Sequence, residues 1–228
     1  MSAGASRAGA GGVSAGGVSG GSVASVSAGA EAGAGGRAGR GSDVLEVLER
    51  RGAMAYLGEP VAVVDHLLQC ADLAAAAGEP PSLVAACLLH DIGWLLAETS
   101  REGRDRAEQP GHDHAERGAA RLAELFPPAV CEPVRLHVEA KRWLVAVEPG
   151  ALERLSAESR RTLVLQGGPF EPREAEAFRG RALSGDAVRL RRYDDAAKEP
   201  GRACPPLSAY VELLDELAAA PGRVGPRA

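Results

Sequence analysis

A His-Asp pair interrupts a strongly apolar run of the sequence, AACLLHDIGWLLA, at residues 85–97. Burying one ionisable side chain costs free energy, and burying two neighbours costs more unless something pairs with both. A metal ion could do so, because imidazole and carboxylate groups are suitable ligands for iron, zinc or manganese. His90 and Asp91 are therefore candidate metal ligands.

Three other histidines are predicted to point inward, each from a different helix. His66 lies on the apolar stripe of its helix, and His114 shares a face with Leu122. His137 ends an apolar stretch that begins at Val130. A single inward histidine is more often a core residue than a ligand. Four of them together with an embedded aspartate favour a site for two metals.

Neighbouring side chains on one helix point about 100° apart. His90 would therefore bind one metal while the Asp91 carboxylate bridges to a second, and one more carboxylate is needed to complete the site. The fifth histidine, His112, shares its face with Glu116 and is predicted to be solvated.

The elements that must position these residues are all predicted to be helices. Apolar residues recur at helical spacing, and no run alternates with period two for long enough to indicate a sheet. Asp43 and Ser82 are the expected N-caps of the first and third helices. The predicted helices cover residues 43–52, 60–78, 79–98, 112–125, 128–139, 156–165, 172–179 and 207–219, with a charged loop at 99–111 and no clear assignment at 188–193.

Residues 1–42 differ in composition from the rest of the chain. They are almost entirely Ala, Gly, Ser and Val, and they contain 14 of the 29 glycines. Such a segment cannot bury enough apolar surface to offset the entropy of ordering it. Residues 1–42 are therefore predicted to be a disordered tail, and residues 43–228 a single all-α domain.

The charge balance and the cysteines exclude several kinds of function. With 26 Lys+Arg and 31 Asp+Glu the net charge is −5, which predicts no binding to nucleic acid or to a membrane surface. No apolar run approaches the roughly 20 residues of a membrane span. The four cysteines are far apart and fit reduced core residues of a cytoplasmic protein. The oligomeric state is not predicted.

Several segments resemble a known superfamily. The pattern His66 … His90-Asp91 … distal Asp resembles the HD superfamily of metal-dependent helical proteins, most of which are phosphohydrolases. Over residues 53–214 the resemblance extends to its mixed-valent di-iron oxygenases, among them the glycine-forming 2-amino-1-hydroxyethylphosphonate dioxygenases. The segments that carry it are AYLGEPVAVVDHLLQCADLA, LLHDIGWLLAE, HVEAKRWLV, LSAESRRTLVLQGGPF and LRRYDDAAK.

The resemblance implies an HD-domain helical bundle with two iron ions, one Fe(II) and one Fe(III). With O2 as co-substrate, such an enzyme cleaves the carbon–phosphorus bond of a small hydroxylated phosphonate or aminophosphonate and releases phosphate. One iron would be bound by His66, His90, Asp91 and Asp194, and the other by Asp91, His114 and His137. The register of RYD favours Asp194 over its neighbour Asp195.

The resemblance also implies the substrate contacts. Tyr56 and Glu59 match a mobile YxGE segment over the site, in which the tyrosine occupies an open iron position and the glutamate receives the substrate amine. Lys141, Ser159 and Arg191 match the groups that hold the phosphonate. Lys141 is one of only two lysines in the chain.

One position departs from the family pattern. The expected HDxGH is HDIGW here, so Trp94 replaces a histidine that helps to bind the phosphonate. An indole offers one N–H donor and no charge. Trp94 could still donate to a phosphonate oxygen, could reshape the pocket for a different acid, or could simply belong to the core.

Two other functions remain open at this point. A phosphohydrolase acting on a nucleotide or small phosphate ester would need a metal-activated water beside its substrate. A binding module would show no turnover at all. The YxGE segment and Lys141 favour the oxygenase, whereas the ligand types do not distinguish iron from manganese.

Overall fold

The computed structural model describes residues 41–56, 58–96 and 113–220. These residues contain helices and one isolated antiparallel bridge between Ala55 and Ala62, and no strand occurs among them. The all-α prediction is thereby confirmed. The predicted loop at 99–111, the solvated His112 and nearly all of the predicted tail lie outside the described residues.

Eleven α-helices are found in the described part of the chain. They are α1 (Leu45–Arg51), α2 (Val63–Ala76), α3 (Pro81–Leu89), α4 (Ile92–Leu95), α5 (Asp113–Leu122), α6 (Pro128–Val147), α7 (Ala151–Arg154), α8 (Ala157–Leu165), α9 (Pro172–Arg179), α10 (Ser184–Ala196) and α11 (Val211–Ala219). Short 3₁₀ helices precede α1 at Gly41–Val44 and α11 at Leu207–Tyr210. None of the described helices is both long and apolar enough to cross a membrane.

Four helices form the centre of the domain. Helix α3 packs on α2 and α6, and α10 packs on α2, α3 and α6. Every residue of α3 from Leu83 to Leu89 is buried, which explains its uniformly apolar sequence. Burial of this kind contributes about 25 cal/mol for each Å² of apolar surface. The inward faces of α2, α5 and α6 present the candidate metal ligands to this centre.

The structure corrects several predicted boundaries. Pro80 rather than Ser82 precedes α3, which begins at Pro81, and Val44 rather than Asp43 precedes α1. Proline is favoured at the first helical position because its missing N–H has no partner there in any case. Gly41 and Ser42, predicted to belong to the tail, are part of the first 3₁₀ helix. The Ser42 N–H donates to Asp215 Oδ1 at 2.8 Å.

Helix α10 explains why residues 188–193 had no clear assignment. Its buried positions follow helical spacing, but most of them are polar or charged. They are Ser184, Ala187, Leu190, Arg191 and Asp194. A buried stripe of this composition gives little hydrophobic periodicity, although it faces the centre of the domain.

Candidate metal centre

The helical run that contains His90 and Asp91 is broken at these two residues. Helix α3 ends at Leu89, and Asp91 has φ −100° and ψ 10° before α4 begins at Ile92. The expectation that His90 and Asp91 share one continuous helix is therefore wrong. The break lets both side chains face the same cluster, where each is at most 2 % exposed.

Two groups of side chains converge closely enough to hold metal ions. The first group is His66, His90 and Asp91, and the second is Asp91, His114 and His137. Within each group the ligand atoms lie within 4.8 Å of one another. Asp91 belongs to both groups, as a bridging carboxylate would. Its Oδ1 lies 3.4 Å from His114 Nε2 and 3.6 Å from His137 Nε2, and its Oδ2 lies 3.6 Å from His90 Nε2.

Backbone carbonyls orient three of the four imidazoles. His66 Nδ1 lies 2.8 Å from the Ala197 oxygen, and His90 Nδ1 lies 2.9 Å from the Cys87 oxygen. His137 Nδ1 lies 2.7 Å from the Val134 oxygen. A carbonyl only accepts, so each Nδ1 carries a proton, and in the neutral imidazole each Nε2 then presents a lone pair to the cluster.

The donor atoms fit a bound cation better than an empty cluster. Nε2 of His66 and Nε2 of His90 are 3.2 Å apart, with both protons held on the opposite side of the rings. Two lone pairs at this distance repel each other unless a positive charge lies against both. Burial, together with the neighbouring His114, lowers the pKa of His137 to about 3, which keeps this imidazole neutral and able to bind metal.

The Asp91 carboxylate is held in its charged form. Burial raises its pKa, but His90, His114 and His137 outweigh this effect, so the pKa lies below its ordinary value. A charged carboxylate is the state that a bridging ligand requires.

Asp194, the further ligand that the resemblance implied, lies beside the first group. Its Oδ1 is 3.4 Å from His66 Nε2 and has no hydrogen-bond partner although it is buried. Its Oδ2 is 3.9 Å from His90 Nε2 and forms an ion pair with Arg191 Nη1 at 2.8 Å. Asp195 instead turns its carboxylate to Arg191 Nη2. The geometry therefore favours Asp194 over Asp195 as the ligand.

A small cavity of about 60 Å³ opens beside the two groups. The candidate ligands Asp91, His114, His137 and Asp194 lie on its wall, together with Tyr56 and all five of the predicted substrate-binding residues. These five residues are Glu59, Trp94, Lys141, Ser159 and Arg191. His66 and His90 do not line the cavity, but both lie beside Asp91, so the structure brings all of the predicted site residues to one place.

Two basic side chains, Arg191 and Lys141, line the cavity. Arg191 is buried, and its Nε has no hydrogen-bond partner. Its Nη2 lies 3.4 Å from Ser159 Oγ. Lys141 is also buried and donates to Thr162 Oγ1 at 2.9 Å. Burial, with a further contribution from Arg191, lowers the pKa of Lys141 to about 7. An anion in this cavity would find several donors that it could satisfy.

The segment before α2 covers the centre from one side. The Tyr56 hydroxyl donates to Asp91 Oδ2 at 2.7 Å, and the Tyr56 ring stacks on His66 with centroids 4.4 Å apart. Burial, followed by the charges of Asp91 and Asp194, raises the pKa of Tyr56 well above its usual value. The phenol is therefore neutral and acts as a hydrogen-bond donor.

Trp94 stacks on a candidate ligand. Its ring lies 4.5 Å from the His114 ring, with an angle of 19° between the planes. It lines the cavity and is only partly buried, so it is not simply a core residue. The stacking fixes the orientation of His114 and places a bulky, uncharged group where the family pattern has a histidine.

Lys198 is a residue of the site to which sequence reasoning assigned no role. Its Nζ lies 3.0 Å from Glu59 Oε1 and 3.0 Å from Ser159 Oγ. It also lies 6.0 Å from the centre of the Tyr56 ring. The scarcity of lysine in the chain was a signal, but Lys198 follows α10 in a stretch without local periodicity, so its position could not be deduced.

Comparison with known proteins identifies the family. The HD-domain family model matches residues 63–220. The chain belongs to the HD-domain family.

Two similar proteins are named as phosphonate dioxygenases, which confirms the predicted resemblance. The [1-hydroxy-2-(trimethylamino)ethyl]phosphonate dioxygenase (glycine-betaine-forming) of Leisingera caerulea is 37% identical over 171 residues, covering 75% of this chain and 86% of the relative. The hydroxymethylphosphonate dioxygenase of Gimesia maris is 37% identical over 172 residues, covering 75% and 84%. An uncharacterized protein of Acanthamoeba polyphaga mimivirus is 30% identical over 174 residues, covering 76% and 79%.

Proposed function

We propose that this protein is a di-iron dioxygenase that cleaves the carbon–phosphorus bond of a small 1-hydroxyalkylphosphonate. The observation that carries the proposal is the Asp91 carboxylate, shared by two ligand groups beside a cavity that contains Lys141 and Arg191. The names of the two relatives support the substrate class and the reaction.

The proposed metal ligands are those implied by the family resemblance. His66, His90, Asp91 and Asp194 would bind one iron, and Asp91, His114 and His137 would bind the other. When bound, the iron pair would supply the activation of O2. The donor types suit both iron and manganese, so the choice of iron is itself part of the proposal.

The proposed reaction balances without a further co-reactant. The phosphonate R–CH(OH)–PO₃²⁻ and O2 give R–COO⁻, HPO₄²⁻ and H⁺. The carbon–phosphorus bond breaks, new carbon–oxygen and phosphorus–oxygen bonds form, and the hydroxyl-bearing carbon is oxidised as O2 is reduced. The histidines and aspartates of the two ligand groups would bind the metal, while Lys141, Ser159 and Arg191 would bind and orient the phosphonate dianion.

The protein also supplies a closed environment for the reaction. The buried guanidinium of Arg191 and the buried amine of Lys141 interact strongly with a dianion because little water screens them. Tyr56 covers the cluster and limits the access of water through its contact with Asp91. The acidic chain and the small cavity favour a free small-molecule substrate over a macromolecular one.

The decisive experiment measures oxygen uptake and phosphate release together. Protein loaded with ferrous iron and kept reduced with ascorbate would receive hydroxymethylphosphonate, and phosphate is expected to form in a 1:1 ratio to O2 consumed. Metal-free protein is the matched control. Phosphate release from simple phosphate esters without oxygen uptake would instead make the protein a phosphohydrolase, and no turnover of either class would contradict both functions.

A further inference from the structure

The carboxylates that face the cavity all have partners within the described part of the chain. Asp91 and Asp194 belong to the candidate metal centre, and Asp194 also pairs with Arg191. Glu158 pairs with Arg161 through two hydrogen bonds. Glu59 is the remaining carboxylate. Its partner decides whether Glu59 is available to a positively charged group of the substrate.

Glu59 is paired with an ammonium group of the protein itself. Lys198 Nζ donates to Glu59 Oε1 at 3.0 Å, and the side chains of Glu59 and Lys198 are 5% and 11% exposed. Ser156 Oγ donates to the same Glu59 oxygen. The carboxylate that the family resemblance assigned to a substrate amine therefore already has a buried cationic partner.

Lys198 is held at this position by more than one contact. Its second short hydrogen bond goes to Ser159 Oγ at 3.0 Å, and Ser159 lies in the first turn of α8. The Tyr56 ring lies 6.0 Å from its Nζ. A substrate ammonium would have to displace Lys198 from these contacts to reach Glu59 Oε1.

The remaining charges also disfavour a substrate cation. Arg191 and Lys141 both approach the cavity, and among the described residues no carboxylate lies within ion-pair distance of Lys141. Arg191 pairs with Asp194 and Asp195, but its Nε has no hydrogen-bond partner. This N–H and the Lys141 amine favour a dianion over an ammonium or a quaternary ammonium group at this end of the cavity. The volume of about 60 Å³ also favours a compact substrate.

We propose that Lys198 is a specificity-determining residue, and that the substrate is a small 1-hydroxyalkylphosphonate without an ammonium group. Lys198 takes the position at Glu59 that a substrate amine would otherwise need. This inference rests on the proposed function and narrows it, because it selects among the phosphonates that the same metal centre could oxidise.

The test compares three phosphonates on the iron-loaded wild-type protein. They are hydroxymethylphosphonate, 2-amino-1-hydroxyethylphosphonate and its N-trimethyl analogue, each assayed for kcat and KM by oxygen uptake. The expected kcat/KM for hydroxymethylphosphonate exceeds the other two by about tenfold or more. Equal or better turnover of either cationic substrate would overturn the inference and leave the proposed function intact. No turnover of any of the three would overturn both.

Two variants of Lys198 separate specificity from general damage. Lys198→Met is expected to shift the kcat/KM ratio by about tenfold toward the amine-bearing substrate, mainly through KM. Lys198→Arg keeps the positive charge and is expected to keep the wild-type preference. Equal loss on all three substrates in Lys198→Met, with unchanged iron content, would show a merely structural lysine and overturn the inference.

A variant of Glu59 provides an independent measurement if the Lys198 variants do not fold. Glu59→Gln retains Lys198, so the kcat/KM values of the amine-bearing and amine-free substrates are expected to change by the same factor. A loss confined to the amine-bearing substrate would mean that Glu59 receives the substrate amine, and it would overturn the inference.

Discussion

The Tyr56 hydroxyl donates a hydrogen bond of 2.7 Å to Asp91, the carboxylate common to both candidate ligand groups. The accepting atom is Oδ2, which is also the Asp91 oxygen on the side of His90. The segment over the site therefore contacts an oxygen atom that the proposed metal centre would also use. Hydrogen bonding by the tyrosine would compete with metal binding by this oxygen.

Replacing Tyr56 with phenylalanine tests this competition. Tyr56→Phe keeps the ring that stacks on His66 and removes only the hydrogen bond. Metal-free protein is expected to lose about 1.5 kcal/mol of unfolding free energy, because a bond to a charged acceptor is lost. Iron should bind more tightly, since Oδ2 no longer has to give up a partner. Chemical denaturation and metal titration measure both effects, and weaker iron binding would show that Tyr56 supports the metal instead.

The neighbouring Asp194 and Asp195 provide a matched pair of variants for the ligand set. Each lies in α10 and pairs with Arg191, but only Asp194 approaches His66. Asp194→Asn is expected to lower the iron content by about one ion per chain, whereas Asp195→Asn should retain both ions. Elemental analysis of the purified proteins measures this difference. Equal iron content in the two variants would remove Asp194 from the ligand set.

Gly93 allows α4 to lie directly against α5, and this contact positions His114. A Cβ at residue 93 would lie 1.9 Å from the backbone oxygen of His114, where neither backbone can move easily. Gly93→Ala is therefore expected to cost about 3 kcal/mol of stability and to weaken iron binding. Thermal and chemical unfolding, together with iron analysis, would measure both losses.

Gly185 is the matched control for this substitution. It lies in α10, and a Cβ there would have no neighbour within 4 Å. Gly185→Ala is expected to stabilise the protein by about 0.5–1 kcal/mol, because alanine lowers the entropy of the unfolded chain. If Gly93→Ala were as stable as Gly185→Ala, the close approach of α4 and α5 would not exist in solution.

The low pKa of Lys141 predicts proton uptake when a dianion binds. With a pKa of about 7, this amine is mostly neutral at about pH 8.5, and a phosphonate dianion beside it raises the pKa and recruits a proton. Calorimetric titration with methylphosphonate, in buffers of different ionisation enthalpy, is expected to show uptake of about one proton. Lys141→Met should abolish the uptake. Binding by the wild-type protein without proton uptake would place the dianion away from Lys141.

The same shift fixes the sign of a stability effect. The folded-state pKa of Lys141 lies below its usual value of 10.5, so the unfolded chain binds more protons between about pH 7 and 10.5. Lys141 therefore makes the unfolding free energy of wild-type protein rise with pH across this window. Lys141→Met is expected to flatten that slope.

The sequence predicted the inward position of the four histidines well because their signal is local. A histidine or aspartate within an apolar helical run is unusual, and each of the four inward histidines is indeed buried beside Asp91. The break between α3 and α4 could not be predicted in this way. The residues on both sides of His90 are apolar, so hydrophobic periodicity continues across a point where the backbone does not.

The longer α6 shows a second limit of sequence reasoning. The helix was expected to end at residue 139, before the charged Lys141, but it continues to Val147. Lys141 is buried in the cavity instead of marking a solvated helix end. A buried cation beside an anion site has the same local sequence as an exposed helix terminus, and only tertiary contacts distinguish them.

The bond between His66 Nδ1 and the Ala197 oxygen joins residues 131 positions apart. Asp194 and Lys198 belong to the same late stretch of the chain. During synthesis, the proposed ligand set of the first iron, which includes Asp194, therefore cannot be complete until almost the whole domain has left the ribosome. Incorporation of the proposed metal pair is consequently expected to be one of the last events in the maturation of this protein, and a nascent chain stalled before residue 194 would contain all four inward histidines without Asp194.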